Sequence, residues 1–258
     1  MSSCVDRRTV ILKQLEKDDQ VNVFELSRQF NVSEVTIRKD LKHLEKKNIL
    51  IRSRGGAMKH SLINVDLSIY DRRRKNIQLK EAIGAAAAKM ITNGETILLD
   101  TGTTLMELAK HLPKKIDITV ITNSVDITFR LAEHPNIRVI MPGGILRRNS
   151  LALVGEQAAE SLRGFYCDKY FLSADGIDIQ RGMMTTNIEE ASLARINIKN
   201  SNKVFALIDS SKFLSKGITT IAPLKDIDTL ITDDGIPYDI LQEIRGMGVN
   251  VIVVDIIL

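Results

Sequence analysis

The chain has 258 residues, enough for two domains with a sizeable buried core. Its 44% hydrophobic and 26% charged residues are typical of a globular protein, and no apolar run approaches the roughly 20 residues that cross a bilayer. Two cysteines, Cys4 and Cys167, exclude a disulfide framework, and no apolar signal-peptide core follows the first charged residues. We therefore expect a cytoplasmic protein without a membrane partner, a metal or a cofactor.

Basic residues are concentrated in the first third of the chain. The first 80 residues hold 18 Lys and Arg against 10 Asp and Glu, whereas the remaining 178 hold 18 against 22. The net charge is therefore +8 for the first part and −4 for the second. A basic N-terminal part on a mildly acidic body predicts a polyanionic partner for that part alone.

Three helices are predicted in the first 46 residues. Residues 6–17 show a helical apolar period, and the polar run 18–20 ends that helix. Asn22 and Ser33 are suitable N-caps for a second and a third helix. The apolar positions of the three helices are Val10, Ile11, Leu15, Phe24, Leu26, Phe30, Ile37, Leu41 and Leu44. Their spacing predicts a small trihelical domain with its own core.

The polar faces of the third helix carry the side-chain types that contact DNA in recognition helices. Arg38 is the candidate for a guanine contact, because a guanidinium can donate to two acceptors at once. Asp40 is expected to order arginines or cap backbone groups, since phosphate repels a carboxylate. Residues 49–57 predict a basic β-wing. The DNA-binding candidates are Ser33, Val35, Thr36, Arg38, Lys39, Lys42, Arg52, Arg54, Gly55 and Gly56. A charged helical hairpin used for packing or dimerisation would show the same periodicity.

The rest of the chain predicts a linker and an α/β domain. Residues 60–80 are polar and include the basic run 72–75. Beyond them, helical stretches alternate with β-branched runs, which predicts a mainly parallel sheet covered on both faces. The predicted strands are 96–100, 118–122, 137–141, 169–173, 204–209, 229–232 and 249–255, and the predicted helices are 80–90, 104–111, 125–133, 155–162 and 188–200. The expected domains are 1–59, which binds DNA, and 81–258, which binds a ligand, with 60–80 between them.

Polar clusters follow successive predicted strands, at the edge where open α/β sheets bind ligands. The clusters are residues 100–104, 122–124, 141–147, 173–178, 185–190 and 209–213. In the first cluster, the backbone N–H groups at 102–104 would lie at a helix N-terminus, which suits a phosphate. That turn, or glycines such as Gly144 and Gly176, could equally serve chain geometry alone.

The pattern Arg7-x3-Ile11-x3-Leu15, followed by the run 33–41, resembles the signature of the DeoR family of bacterial transcriptional regulators. Residues 48–57 resemble the wing of that family, and the resemblance covers nearly the whole chain. It implies an α+β winged helix-turn-helix domain joined to an α/β domain similar in fold to ribose-5-phosphate isomerase and glucosamine-6-phosphate deaminase. It also implies a homo-oligomer, a dimer or tetramer, that binds double-stranded operator DNA.

The resemblance further implies a phosphorylated sugar as effector. Gly102, Thr103 and Thr104 would then cradle the phosphate. The whole set of effector-binding candidates is Asp100, Gly102, Thr103, Thr104, Asn123, Gly144, Arg147, Asp175, Gly176, Glu190 and Lys212. Within it, carboxylates and Asn123 would bind sugar hydroxyls, while Lys212 and Arg147 would add positive charge. Residues 175–178 and 185–187 look closest to amino-sugar or hexitol repressors such as the N-acetylgalactosamine type.

The leading hypothesis is a repressor of a sugar or amino-sugar catabolic operon, and not an enzyme. The effector would shift the balance between DNA-competent and DNA-incompetent arrangements, with residues 72–75 as the coupling route. The alternative is a sugar-phosphate isomerase or deaminase, with Glu189 or Glu190 as base and Lys212 as electrophilic partner. The attached DNA-binding domain argues against that alternative. A constitutive architectural protein is a third hypothesis.

Overall fold

A computed structural model describes residues 4–18, 20–46, 50–53, 55–59, 67–215 and 217–255. The chain divides into two units, Met1–Val65 and Asp66–Leu258. Residues 67–80, predicted as part of a linker, therefore belong to the larger unit, because Ile69 and Lys80 are buried in it. Among the described residues, no helix is both long and apolar enough to cross a bilayer.

The described residues of the smaller unit form three helices and a three-stranded antiparallel sheet. The helices are α1 (Cys4–Asp18), α2 (Val23–Phe30) and α3 (Glu34–Lys46), and the strands β1 (Gln20–Asn22), β2 (Leu50–Ser53) and β3 (Gly56–Lys59) pair in the order β1-β3-β2. The Asn22 side chain accepts the backbone N–H groups of Phe24 and Glu25, and the Ser33 hydroxyl accepts that of Thr36. Both predicted N-caps are thus confirmed.

Two apolar side chains predicted for this core lie at the surface instead. Val10 is 38% exposed and Phe24 is 55% exposed, while Ile11 and Leu15 carry the buried stripe of α1. Arg28 lies over the Phe24 ring, 5.3 Å from its centroid, which covers part of that apolar face. The predicted core positions of α3 are all buried, as are Leu26, Leu50 and Ala57.

The larger unit is built on seven parallel strands. They are β4 (Thr96–Leu99), β5 (Ile118–Thr122), β6 (Ile137–Ile140), β9 (Cys167–Leu172), β12 (Ser201–Leu207), β14 (Thr229–Asp233) and β15 (Asn250–Val254). All seven predicted strands are present, and their order is β15-β14-β12-β9-β4-β5-β6. The chain builds the sheet outward from β4 in one direction and then returns to add β9 on its other side. The strand order therefore reverses between β4 and β9.

Helices cover both faces of this sheet. The helices α5 (Ile77–Lys89), α6 (Thr103–Ala109) and α7 (Val125–Leu131) contribute to one apolar layer, and α8 (Glu156–Arg163), α9 (Ile188–Lys199) and α10 (Tyr238–Gly246) to the other. Successive strand residues alternate between the layers, as Tyr170, Phe171 and Leu172 do in β9. This two-sided burial is why the strands appear in the sequence as apolar runs.

Several short elements were not predicted. They are β1, the hairpin of β7 (Ile145–Arg147) and β8 (Ala152–Val154), the small sheet of β10 (Gly176–Asp178), β11 (Gly182–Thr185) and β13 (Thr219–Ala222), the helix α4 (Ile69–Arg73), and α10. The strands are three or four residues long, too short to show a clear alternating pattern. Those of the larger unit come after parallel strands in the chain: β7 and β8 follow β6, β10 and β11 follow β9, and β13 follows β12.

Candidate DNA-binding surface and effector site

The helix α3 presents its predicted DNA-binding side chains to solvent. Val35 is 61% exposed, and Arg38 and Lys39 are exposed beside it. Arg38 donates to Glu34 at 2.9 Å, an exposed i,i+4 pair that holds the guanidinium loosely. Ser33, Lys42 and Arg52 are exposed as well, and Thr36 is half-buried. A major groove would therefore meet hydroxyl, methyl and guanidinium groups on one helix.

Asp40 lies on the opposite side of α3 and is 2% exposed. Its two carboxylate oxygens accept hydrogen bonds from Arg7 at 2.6 Å and Arg8 at 2.8 Å, both on α1. The sequence-based expectation that Asp40 orders arginines is thus confirmed. The ion pairs join the first helix to the recognition helix through the interior of the domain.

The wing glycines differ in their surroundings. Gly55 is exposed with a φ of +87°, a backbone conformation that favours glycine. Gly56 is buried, and a Cβ there would lie 2.1 Å from the carbonyl oxygen of Val21. Close approach of β3 to β1 is thus sufficient reason for a glycine at position 56, and its contact with DNA stays a prediction. Arg54 lies outside the described residues.

In the larger unit, charged side chains meet at the reversal of strand order. Asp100 follows β4, and Asp175 follows the neighbouring strand β9. Open α/β sheets bind ligands in the crevice at such a switch point, because the loops on either side diverge there. Glu190 and Arg147 reach the same place from α9 and the β7–β8 hairpin. The structure thus brings together four of the predicted effector-binding residues.

Asp175 is an ionised carboxylate with many partners. Its Oδ2 atom accepts hydrogen bonds from the Thr185 hydroxyl and from the N–H and hydroxyl of Thr186, at 2.8–3.0 Å. Its Oδ1 atom faces Arg72 at 3.2 Å. Burial favours a higher pKa for Asp175, but Arg72, Lys212 and the Thr186 hydrogen bonds outweigh it and lower the pKa. Asp175 is therefore a hydrogen-bond acceptor in this site.

Asp100 is in the opposite electrostatic situation. Its carboxyl accepts the hydroxyl hydrogen of buried Tyr170 at 2.9 Å and the backbone N–H of Thr101 at 2.8 Å. Burial, helped by the nearby charge of Glu190, raises the pKa of Asp100 to about 7, although the hydrogen bonds from Thr101 and Tyr170 act in the opposite direction. Burial also raises the pKa of Glu190, although its carboxylate pairs with Arg147 at 2.9 Å. The site therefore holds one ionised carboxylate and two that bind protons more tightly than usual.

Positively charged side chains also lie near this cluster, since Arg72 and Lys212 both lower the pKa of Asp175. Lys212 lies in a 3-10 turn (Ser210–Leu214) after β12. Lys80 is buried, and its ammonium donates to the carbonyl oxygens of Arg72 and Lys75 at 2.6 and 2.7 Å. Burial lowers the pKa of Lys80 to about 8, and the charges of Lys212 and Arg72 act in the same direction. Burial and Lys212 likewise lower the pKa of Lys75. A bound anion would reduce the repulsion among these positively charged side chains.

The remaining predicted site residues are less accessible. Thr103 and Thr104 are buried at the start of α6, and Gly102 before them has a φ of +150°. The Asn123 amide donates to the Leu153 carbonyl at 3.2 Å, while its Oδ1 is buried without a partner among the described residues. A Cβ on Gly144 would lie 2.7 Å from the Val154 carbonyl oxygen, so packing is sufficient reason for that glycine, and Gly176 is buried in β10.

Sequence reasoning did not place three participants in the site. Tyr170 is a buried strand residue in the sequence pattern, Lys80 begins a predicted helix, and Arg72 lies in the predicted linker. Of these three, only Arg72 had a signal in the sequence, because it belongs to the basic run 72–75 that the sequence suggests as a coupling route. No group of three or more His, Cys, Asp or Glu suited to a metal ion occurs within the described parts of the chain.

We expect Asp100→Asn to flatten the pH dependence of stability. Between about pH 4 and pH 7 the folded protein retains a proton on Asp100 that the unfolded chain has released, so stability falls as pH rises through this window. Asparagine cannot ionise and removes this loss, at most about 4 kcal/mol for a shift of about three pKa units. Urea unfolding at a series of pH values measures it. Asp239→Asn, at an exposed carboxyl of α10, is the control, and parallel profiles for wild type and Asp100→Asn would contradict the assignment.

A winged helix-turn-helix unit, followed by a parallel α/β unit with a charged cluster at its switch point, defines a DNA-binding transcriptional regulator with a sensor domain. Residues 7–61 match the family model for the DeoR-like helix-turn-helix domain, and residues 75–234 match that for the DeoR C terminal sensor domain. The chain belongs to the DeoR family.

Curated relatives match the chain over almost its full length. A protein of Escherichia coli O157:H7, whose name connects it with repression of the aga operon, is 37% identical over 96% of this chain and 93% of its own. The regulator GolR of Listeria innocua is 35% identical over 95% of this chain and 97% of its own. The repressor GlcR of Bacillus subtilis is 33% identical over 88% of each chain.

Among solved structures, ribose 5-phosphate isomerase A of Methanocaldococcus jannaschii is similar to 54% of this chain and 55% of its own, with 19% identity and a TM-score of 0.41. A likeness at that TM-score carries no argument about activity.

Proposed function

We propose that this protein represses a sugar or amino-sugar catabolic operon and that a phosphorylated sugar bound at the switch point controls it. The observation that carries the proposal is the mixed charge of the site. Carboxylates of Asp100, Asp175 and Glu190 are acceptors for sugar hydroxyls, while Arg72 and Lys212 provide positive charge for a phosphate. A purely acidic or purely basic site would suit only one half of such a ligand.

DNA recognition is proposed for the exposed face of α3 and for the wing. Arg38 is assigned to a base edge because its guanidinium is exposed and its partner Glu34 is equally exposed. Ser33, Thr36, Lys39 and Lys42 are assigned to phosphates, which fix the position of the helix on the duplex. We also propose that the protein acts in the cytoplasm as a symmetric dimer or tetramer, since one helix reads only one half-site.

Fluorescence anisotropy with DNA from the promoter region of the protein's own gene tests both halves of the proposal. We expect Arg38→Ala to weaken specific binding by about 1–3 kcal/mol, because a bidentate base contact is worth that much. Lys13→Ala is the control, since Lys13 is exposed on α1 outside the proposed surface. The assay is repeated with hexose, hexosamine and pentose phosphates. Absence of binding to promoter DNA at moderate salt would contradict the DNA-binding half, and insensitivity to every sugar phosphate would contradict the sensor half.

An enzymatic function receives less support from the site. Glu189, one of the two candidate bases, is exposed, and Glu190 is paired with Arg147. The named relatives are transcriptional regulators and not isomerases. Turnover of ribose 5-phosphate or an amino-sugar phosphate by the purified protein would overturn this ranking.

A further inference from the structure

Residues 68–76, called the strap below, lie across the carboxyl edge of the parallel sheet. The strap begins with Ser68, whose hydroxyl accepts the backbone N–H of Asp71 and so caps α4. Ile69 is fully buried, and its backbone N–H donates to the Asn149 carbonyl at 2.7 Å. The strap ends at Asn76, which has a φ of +53° and precedes α5. It is therefore an ordered part of the sensor unit.

The strap is bonded to residues that come soon after three different strands. Arg73 pairs with Asp126, which follows β5, and Arg72 pairs with Asp175, which follows β9. The Asn76 amide donates to Asp209, after β12, at 3.0 Å. The strands β12, β9, β4 and β5 are consecutive neighbours in the sheet, so the strap crosses the switch point. A ligand entering that crevice meets the strap.

Lys80 holds the middle of the strap in place. Its buried ammonium donates to two carbonyl oxygens, that of Arg72 in α4 and that of Lys75 in the turn between α4 and α5. The Arg72 carbonyl also accepts the backbone N–H groups of Arg74 and Lys75, so the ammonium adds to the hydrogen bonds that close the end of α4. Lys80 of α5 therefore fixes the backbone at Arg72. These hydrogen bonds do not involve the Arg72 guanidinium, which can change its acceptor without breaking them.

The ion pair between Arg72 and Asp175 leaves hydrogen-bonding capacity unused. Arg72 uses one terminal nitrogen for Asp175, and its Nε atom is buried with no acceptor among the described residues. A buried donor without an acceptor destabilises the arrangement that contains it. A phosphate can accept from two guanidinium nitrogens at once, which one Asp175 oxygen at 3.2 Å does not do. Arg72 thus has more to gain from a phosphate than from its present partner.

We propose that Arg72 is a displaceable counter-ion: a sugar phosphate draws its guanidinium away from Asp175 and leaves that carboxylate to a sugar hydroxyl. The strap then loses one of its three ties to the sheet edge and shifts. Because the strap leads in sequence back through residues 60–66 to the DNA-binding unit, this shift is the signal that effector binding sends to the recognition helix. The inference rests on the proposed function, since it takes a sugar phosphate as the ligand.

Hydrogen–deuterium exchange of the full chain, resolved by peptide, tests the tie without any ligand. Arg72→Met removes the guanidinium and keeps an unbranched apolar stem, and we expect exchange in residues 68–76 to become about tenfold faster. The matched control is Arg74→Met, because Arg74 is the exposed arginine of the same segment and has no ion pair among the described residues. Exchange in Arg72→Met as slow as in wild type would overturn the proposal, whatever the ligand.

A second arm uses N-acetylgalactosamine 6-phosphate as the probe and unphosphorylated N-acetylgalactosamine as its control. We expect the phosphate ester to raise the Tm of the wild type and of Arg74→Met and to speed exchange of residues 68–76 in both. A Tm increase with strap exchange unchanged or slower would overturn the proposal. If no sugar phosphate of the wider panel changes the Tm, the proposed effector class is wrong, and the ligand-free arm still decides whether Arg72 ties the strap.

Discussion

Replacement of Asp40 by alanine is expected to destabilise the DNA-binding unit by about 3–5 kcal/mol, because it leaves Arg7 buried without a counter-charge. Arg7 and Asp40 have side-chain exposures of 8% and 2%, so water cannot replace the lost contact. Operator binding should be lost with the fold, although Asp40 is not assigned to DNA. Urea unfolding of the full chain, followed by circular dichroism, measures the stability.

Two further variants separate this buried ion pair from an ordinary surface pair. Glu34→Ala breaks the exposed pair with Arg38 on the same helix and should cost less than about 1 kcal/mol. Arg7→Met combined with Asp40→Leu removes both buried charges and should recover much of the stability, since apolar groups of similar volume often replace buried ion pairs at little cost. Equal losses for Asp40→Ala and Glu34→Ala would show that the burial has no energetic consequence.

Gly84→Ala is expected to destabilise the sensor unit by about 1–3 kcal/mol, through overpacking between α5 and α6. A Cβ at Gly84 would lie 2.6 Å from the backbone nitrogen of Leu108 and 2.7 Å from the carbonyl carbon of Glu107. Backbone atoms cannot rotate away as a side chain can, so α6 must move. The gain in helix propensity, about 1 kcal/mol, is included in this net figure. Because α6 begins beside Gly102, the shift should also weaken effector binding.

Thermal unfolding compares Gly84→Ala with Gly246→Ala. A Cβ at Gly246, the last residue of α10, would meet no atom within 4 Å. Alanine there should keep the stability or raise it by up to about 1 kcal/mol. A Tm for Gly84→Ala at or above that of Gly246→Ala would mean that the two helices can separate freely, contrary to the packing.

Local chemistry was predictable at Asn22 and Ser33, because an N-cap depends on a side chain and on N–H groups two or three residues away. The role of Asp40 was predictable in kind, as a group that orders arginines. Its partners were not, because Arg7 and Arg8 lie on another helix and no local pattern joins them to Asp40. Phe24 shows the reverse, since its helical spacing predicts burial but the neighbouring helices leave it exposed.

The candidate effector site likewise contains residues that could be predicted from the sequence and residues that could not. The polar clusters that contain Asp100, Asp175 and Glu190 could be found from the sequence because each follows a strand or begins a helix, and the family resemblance singled out these three residues. Arg72 could not, since the segment that carries it has no apolar period and was predicted to be a linker. Its place beside Asp175 depends on the burial of Ile69, which requires distant parts of the chain. It also depends on the two hydrogen bonds that Lys80 makes to the irregular segment before α5.

The sequence by itself determined the recognition helix with its cap and all seven strands of the parallel sheet, because each depends on residues a few positions apart. It also determined the family, through a residue pattern that needs no knowledge of the fold. Only the tertiary structure decided that β9 returns to lie beside β4, which brings Asp100, Asp175 and the strap to one edge. The pairing of those strands is made by backbone hydrogen bonds and by apolar layers that many distant residues share, so no short stretch of sequence encodes it.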